Sequence, residues 1–354
     1  MPTRILVTGG AGFVGSSIAC HLAASGAAVV TALDNLHRRG SELTLTRLAA
    51  SGVRFVHGDV RQREDLDSAG PFDVMIECSA EPSVHAGYGG DPSYLLGANL
   101  TGLTVCLEAT RRMGAGLVFL STSRVYPIVP LRALPLVETA SRLDIPAGAA
   151  GEGWSAAGIG EAFPLGGYRS LYGATKLAAE LLIEEYRHMY GLPAIIDRCG
   201  VIAGPWQMGK VDQGFVSLWA ARHLWGDRLA YTGFGGRGLQ VRDVLHVADL
   251  CELVGRQIER LAAWSGLLVN VGGGPERSTS LVELTTRCVE RSGRRLEMRS
   301  RPETAAADIP YYVSDNTTVS ALCDWSPRRS IDTLLDDVFA WLRADEARLR
   351  PILG

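Results

Sequence analysis

Through the N-terminal part of the chain, short and nearly continuous apolar runs alternate with longer stretches whose apolar positions return every three or four residues. The apolar runs are Ile5–Thr8, Val29–Leu33, Val53–His57, Val74–Cys78, Leu117–Ser121 and Ala194–Arg198. A run without polar alternation is the pattern of a parallel strand covered on both faces. The periodic stretches, Val14–Ser25, Ser41–Ala50, Arg63–Ala69, Pro92–Met113 and Leu171–Tyr190, predict helices between those strands. Strand–helix alternation of this kind specifies an α/β fold, doubly wound about a parallel sheet.

Beyond Arg198 the pattern becomes irregular. Residues 199–240 are rich in Gly, Trp and short apolar pieces. A strand and helix are expected near Val241–Arg260, a strand at Leu267–Val271, and helices near Leu281–Ser292 and Ile331–Ala344. The expected division is a nucleotide-binding domain over 1–198, rejoined by 241–274, and a smaller substrate lobe made of 199–240 and 275–354. The stretch 127–167 is Gly/Ala/Pro-rich and weakly periodic. A loop of that length inside a compact domain points to a functional or lid-like segment.

Composition narrows the partners. The chain has 354 residues, 47% apolar and 21% charged, with a net charge of −3 and a pI near 6.2. That is globular, and the lack of a basic excess argues against nucleic acid or an anionic membrane as partner. No apolar run approaches the roughly 20 residues that span a bilayer. The N-terminus enters its first strand at Ile5, which leaves no room for a signal peptide and predicts a cytoplasmic protein. The seven cysteines are widely spread, with no Cys-x-x-Cys pair, and the seven histidines add no ligand spacing. Buried thiols in a reducing compartment are expected, and no metal. Of the 35 basic residues only Lys176 and Lys210 are lysines, so each lysine that survives this bias is informative.

Thr8-Gly9-Gly10-Ala11-Gly12-Phe13-Val14-Gly15 follows the first strand and opens the first helix. Gly9, Gly12 and Gly15 permit a tight turn, close approach of backbone to a pyrophosphate, and close helix–strand packing. The helix N-terminus then offers free N–H groups to the phosphates. Gly233–Gly238 also fits a Gly-x-Gly-x-x-Gly spacing but runs into a strand-like segment, so it is expected to be a loop. Asp34 ends the second strand, where an acid bonds the adenosine ribose and selects NAD over NADP, although Arg38 and Arg39 follow closely. Asp59-Val60 follows the third strand and is placed to meet the adenine, with a helix N-cap as the alternative role for Asp59.

Tyr172 and Lys176 stand four apart, hence on one helix face. A tyrosine of ordinary pKa near 10 is a poor base at neutral pH, and a neighbouring ammonium favours its phenolate. Ser121-Thr122-Ser123-Arg124-Val125-Tyr126 ends the fifth strand, at the edge where a doubly wound sheet binds its ligands.

The glycine cradle, the Thr122 segment and Tyr172-x-x-x-Lys176, in this order, resemble the extended short-chain dehydrogenase/reductase superfamily, whose members act on nucleotide sugars. Arg198–Gly214 and Gln240–His246 are more specific, and are similar to the CDP-paratose (CDP-tyvelose) 2-epimerase group. The resemblance covers nearly the whole chain. It implies a Rossmann fold with bound NAD, with Thr122, Tyr172 and Lys176 as catalytic residues. It also implies cofactor contacts from Gly9, Gly12, Phe13, Val14, Gly15, Asp34, Asn35, Asp59, Val60, Ser79, Ala80 and Asn99, besides Tyr172 and Lys176. Substrate contacts are implied for Glu81, Ser123, Arg124, Lys210 and Gln240, with Arg242 and Arg301 on the substrate diphosphate. A nucleotide-diphosphate sugar and a second copy of the chain are the implied partners. The chain departs from many relatives at Pro127, where they have Gly, at Val201, where they have Asn, and in the insert 127–167.

Sugar dehydratases of the superfamily carry Asp-Glu after the catalytic Thr, and here the pair is Ser123-Arg124. Without an acid to protonate a leaving hydroxyl, dehydration is disfavoured. Reversible oxidation and reduction of one sugar carbon remains: carbon 2 by the nearer resemblance, or carbon 4. A reductase that releases its cofactor is a second possibility. A non-catalytic NAD sensor is a third, disfavoured by the retained Tyr172 and Lys176.

Overall fold

The computed structural model describes residues 2–210 and 213–354. Val211 and Asp212, inside the stretch that carries the closer resemblance, lie outside the described residues. The chain forms two compact units: residues 1–125, 170–198 and 250–269 make the first, and 126–169, 199–249 and 270–354 the second.

The first unit is built on a seven-stranded sheet. Its strands are β1 (Thr3–Thr8), β2 (Ala28–Asp34), β3 (Arg54–His57), β4 (Val74–Glu77), β5 (Gly116–Thr122), β6 (Ala194–Cys199) and β7 (Leu268–Val271). They lie in the order β7-β6-β5-β4-β1-β2-β3, with β1 next to both β2 and β4 in parallel register. That is the strand reversal of a doubly wound nucleotide-binding sheet, with its crevice at the carboxyl ends. β5 and β6 are buried along their whole length; β5 has no charged residue, while β6 carries Asp197 and Arg198 into the interior.

The helices are α1 (Phe13–Ala24), α2 (Leu45–Ala50), α3 (Arg63–Ser68), α4 (Gly102–Met113), α5 (Leu171–Tyr190) and α6 (Val247–Glu259). Leu33, Met75, Leu107, Phe119, Ile183 and Ile196 meet in one core between sheet and helices. Burying such a side chain contributes about 1.5–3 kcal/mol. α5 matches its predicted span. Its N-terminus is capped by Ser170, whose hydroxyl accepts the Gly173 N–H at 3.2 Å, and Gly191 ends it in the left-handed region at φ 66°.

Two predicted helices differ in detail. Ser41–Ala50 opens as a 3-10 turn, Ser41–Thr44, after Gly40 at φ 93°. Pro92–Met113 begins with the short turn Ser93–Leu96 and passes through a π-helical turn, Gly97–Thr101, before α4. Periodicity does not register one extra residue in a turn.

The second unit contains a four-stranded sheet of Val201–Ala203, Val241–His246, Ser278–Ser280 and Tyr311–Tyr312. Phe215–Trp225 is a helix in the region expected to be irregular. Eight of its eleven residues are buried, so it lacks the polar stripe that marks a surface helix. Thr317–Cys323 and Glu346–Leu353 are further helices beyond those predicted. Gly233–Gly238 is a loop, as expected, with Gly233, Gly235, Gly236 and Gly238 all at positive φ.

Residues 126–169 are less loop-like than predicted. They hold a short helix, Ile128–Arg132, and two small hairpins. Tyr126 Oη donates to Asn270 Oδ1 at 2.7 Å, and the Asn270 N–H donates to Glu161 Oε1 at 2.7 Å. Among the described residues no helix is long and apolar enough to cross a membrane.

One buried acid predicts a pH-dependent stability. Asp197 on β6 accepts a hydrogen bond from Gln257 Nε2 at 2.7 Å, while its Oδ2 has no partner. Burial pushes this carboxyl up to about 7, against the lowering effect of the Gln257 bond. The folded state therefore keeps a proton that the unfolded chain loses near pH 4. This stabilisation is full below about pH 4 and is lost as pH rises through about 7. Asp197→Asn removes the titration, so its stability relative to wild type should improve by roughly 1–4 kcal/mol between pH 5 and pH 8.5. Denaturant melts of both proteins at the two pH values check this; a pH-independent difference would contradict it.

Candidate active site

β1 passes directly into the glycine turn. Gly9 adopts φ +62°, and a Cβ there would lie 2.8 Å from the Cys78 carbonyl oxygen. A Cβ on Gly15 would lie 2.2 Å from the Gly9 carbonyl oxygen. Only glycine allows this closeness at either position. Gly12 is the N-cap of α1, with no side-chain cap and no acid in the first turn, and Phe13 and Val14 begin the helix. The first N–H groups and the positive end of the helix dipole are thus left for an anion.

Asp34 closes the same turn from the end of β2. Its Oδ2 accepts the Ala11 N–H at 3.1 Å and its Oδ1 the Leu36 N–H at 2.8 Å. Burial pushes its carboxyl up, opposed by the backbone N–H groups of Leu36, Ala11 and Gly12. Asn35 Nδ2 donates to Asp59 Oδ2 at 2.9 Å, and the Arg61 guanidinium pairs with the same carboxylate at 2.7 Å. Arg61 holds Asp59 well below the usual carboxylate range. Asp59 is not the N-cap of α3, a position taken by Gln62. Val60 is buried beside Gly102, where a Cβ would lie 2.7 Å from its methyl group.

Ser79, Ala80 and Glu81 leave the end of β4. Asn99, in the π-helical turn, accepts the Glu81 N–H at 2.8 Å and donates to the Thr175 hydroxyl at 3.1 Å. Thr175 in turn donates to the Tyr172 carbonyl at 2.8 Å, so Asn99 braces the α5 turn between Tyr172 and Lys176. Thr122 ends β5, and its hydroxyl accepts the Arg124 N–H at 3.2 Å. Ser123 and Arg124 form the following 3-10 turn. The sequence-predicted residues of this unit therefore cluster at the carboxyl ends of neighbouring parallel strands.

Tyr172 and Lys176 are both buried on the sheet-facing side of α5. Lys176 Nζ donates to the Leu120 carbonyl at 2.9 Å and lies 4.2 Å from the Phe119 ring centroid. It also pairs with Glu77 Oε2 at 3.5 Å. One turn further along α5, Glu180 pairs with Arg198 at 2.7 Å and accepts the Ser121 hydroxyl at 2.5 Å. Glu77, Glu180 and Arg198 were not among the predicted site residues. The signals for them are a lone acid closing the apolar run Val74–Glu77, and the four-residue spacing Tyr172, Lys176, Glu180.

The remaining predicted residues lie in the second unit. Gln240 Nε2 donates to the Thr232 carbonyl at 2.9 Å, and Thr232 is the register partner of Arg301 on the two-stranded sheet of Leu229–Thr232 and Met298–Arg301. Gln240 and Arg301 thus come together, and Gln240 Oε1 is buried without a partner. The Arg242 guanidinium donates to the carbonyls of Val241 at 2.7 Å and Ile309 at 2.6 Å. Lys210 is exposed, and its N–H donates to the Gln213 carbonyl at 2.6 Å. Among the described residues no group of three or more His, Cys, Asp and Glu side chains is arranged to hold a metal ion.

A nucleotide-binding Rossmann unit with a Tyr/Lys pair at its crevice is the class that fold and site define. The chain belongs to the NAD dependent epimerase/dehydratase family, whose model matches residues 5–272. It is 27% identical to the CDP-paratose 2-epimerase of Salmonella typhi over 96% of this chain and 98% of that protein. It is 30% identical to the dTDP-glucose 4,6-dehydratase of Mycolicibacterium smegmatis over 99% of this chain and 96% of that one. The UDP-glucose 4-epimerase of Thermus thermophilus, solved in complex with NAD, superposes with a TM-score of 0.76 at 28% identity, covering 96% of this chain and 99% of that one. NAD is the cofactor, and the glycine cradle with its uncapped, acid-free helix end fits a dinucleotide.

The cradle yields a direct prediction. Gly15→Ala drives a methyl group into the Gly9 carbonyl and should cut co-purifying NAD(H) at least about tenfold, whereas Gly255→Ala on α6, with nothing within 4 Å of its Cβ, should retain it. Quantifying the dinucleotide released on denaturation distinguishes the two, and equal content in both variants would contradict the cradle.

Proposed function

We propose that this chain is a nucleotide-diphosphate-sugar epimerase that oxidises one ring hydroxyl and then reduces the resulting ketone from its opposite face. The first expectation is carbon 2 of a CDP-paratose-like sugar, supported by the likeness to the Salmonella typhi enzyme. Carbon 4 is the second, supported by the likeness to the Thermus thermophilus 4-epimerase.

The observation that carries epimerisation over dehydration is the pair Ser123-Arg124 in the turn after Thr122. Elimination of water needs an acid beside the leaving hydroxyl, and neither position supplies one. A dehydratase or reductase is the competing reading, favoured by the 30% identity to the Mycolicibacterium smegmatis dehydratase.

Bound NAD supplies a hydride acceptor and donor at one sugar carbon. The chain's own groups manage the proton and the orientation. Tyr172, as phenolate, takes the proton of the hydroxyl being oxidised and returns it on reduction. Lys176 places positive charge near that phenolate, and the Thr122 hydroxyl donates to the same substrate oxygen. Asn99 keeps the α5 turn in register. Gly9, Gly12, Phe13, Val14 and Gly15 cradle the pyrophosphate, Asp34 takes the ribose, and Asn35, Asp59, Val60, Ser79 and Ala80 line the rest of the cofactor site. Glu81, Ser123 and Arg124 face the sugar. In the second unit Arg242 and Arg301 take the substrate diphosphate, with Gln240 and Lys210 beside them. The first unit is thus the NAD-binding domain and the second the substrate lobe. A cytoplasmic setting fits seven cysteines that form no disulfide among the described residues. A homodimer through α4 and α5 fits the exposed apolar side chains Met113, Leu181, Met189 and Tyr190.

The test is incubation with a panel of CDP-, dTDP- and UDP-sugars and mass spectrometry of the products. An isomer of unchanged mass is expected; a product lighter by one water would contradict epimerisation. Tyr172→Phe should keep the fold and the bound dinucleotide but lower turnover at least about 100-fold. Undiminished turnover in that variant would remove Tyr172 as the base.

A further inference from the structure

Glu77 is the last residue of β4, and its side chain is only 4% exposed. A buried carboxylate is costly unless its charge is matched and its lone pairs are filled. Both conditions are met. Oε1 accepts the Ser79 N–H at 2.9 Å, and Oε2 lies 3.5 Å from Lys176 Nζ. The strand end is also tied to the glycine turn. Glu77 is the register partner of Thr8, the Cys78 N–H donates to the Thr8 carbonyl at 3.2 Å, and the Cys78 carbonyl is what excludes a Cβ at Gly9. Lys176 is equally confined, by the Leu120 carbonyl and the Phe119 ring.

We propose that Glu77 is a positioning residue for the Tyr172–Lys176 pair, holding the Lys176 ammonium in place. The charge near Tyr172 is then set from the same strand end that shapes the dinucleotide cradle. This rests on the assignment of Tyr172 and Lys176 made above, and concerns a side chain that acts through Lys176 without touching substrate.

The surroundings leave Glu77 as the counter-charge. Cys78, after β4, and Cys106, on α4, both feel the Glu77 and Lys176 charges, and burial pushes each thiol well above its usual range, so both stay neutral. Glu180 on α5 is engaged by Arg198 and Ser121. Asn99, from the π-helical turn, is uncharged and bonded to Thr175. Burial raises the Glu77 carboxyl itself, while Lys176 and Ser79 pull it down.

The scarcity of lysine makes the test direct. With only Lys176 and Lys210 in the chain, protein labelled with 13C,15N-lysine gives two side-chain signals, assigned by Lys210→Arg. In Glu77→Gln the Lys176 ammonium protons should exchange with solvent at least about tenfold faster, because the ion-pair partner that holds the buried ammonium is lost, while Lys210 should not change. An unchanged Lys176 exchange rate in folded Glu77→Gln overturns the proposal. Should that variant fail to fold, the wild type decides. Its Lys176 signal should show an inflection on the acid side as Glu77 protonates, absent from Lys210, and a featureless acid limb overturns the proposal. The readout needs no substrate. A faster Lys176 exchange together with full activity in Tyr172→Phe would keep the Glu77 pairing and remove the base, so the two failures are distinguishable.

Discussion

Tyr172, Lys176 and Glu180 follow one another at four-residue spacing along the buried face of α5, and the last two carry charge into the interior. Each meets its counter-charge on the central sheet, Lys176 at the end of β4 and Glu180 at Arg198 on β6. Pairs of this kind add little net stability over apolar packing, but breaking one by removing a partner typically costs about 3–5 kcal/mol. Their value here is register. A slide of α5 by one residue would strand both charges away from their partners, so the helix has one seat. Tyr172 inherits its position from that seat, and Asn99 fixes the turn between the two site residues from the other side.

The same strand ends serve both halves of the first unit's site. The turn after β1 is narrow because the turn after β4 crowds it, and Glu77 at the end of β4 reaches Lys176. The dinucleotide cradle and the Tyr/Lys pair are therefore two products of one arrangement of parallel strands.

Much of this was legible in the sequence. Apolar runs located β1 to β7 within a residue or two, most cleanly for β4 and β5, which are buried along their whole length and show no polar alternation. The glycine spacing located the tight turn after β1, since only glycine tolerates the contacts at Gly9 and Gly15. The helix Phe215–Trp225 was hidden because it is covered on most sides and shows no polar stripe. The π-helical turn around Asn99 was hidden because it differs from a helix by one residue in its hydrogen bonding. Glu77 and Glu180 were hidden for another reason: a buried acid looks in sequence like a surface acid until its partner, 99 or 18 residues away, is known.

A CDP-paratose 2-epimerase and a dTDP-glucose 4,6-dehydratase both stand among this chain's relatives. Under the proposed epimerase reading, the Ser123-Arg124 turn after Thr122 offers no acid for elimination, and the same hydrogen returns to the sugar carbon. That hydrogen is the most direct witness. Epimerisation run to equilibrium in heavy water should give a product with essentially no carbon-bound deuterium, because the hydrogen taken from the sugar carbon is returned without meeting solvent. Stoichiometric deuterium on carbon would mean that a carbon-bound proton exchanges with water, as elimination or an enolate requires, and would contradict the account.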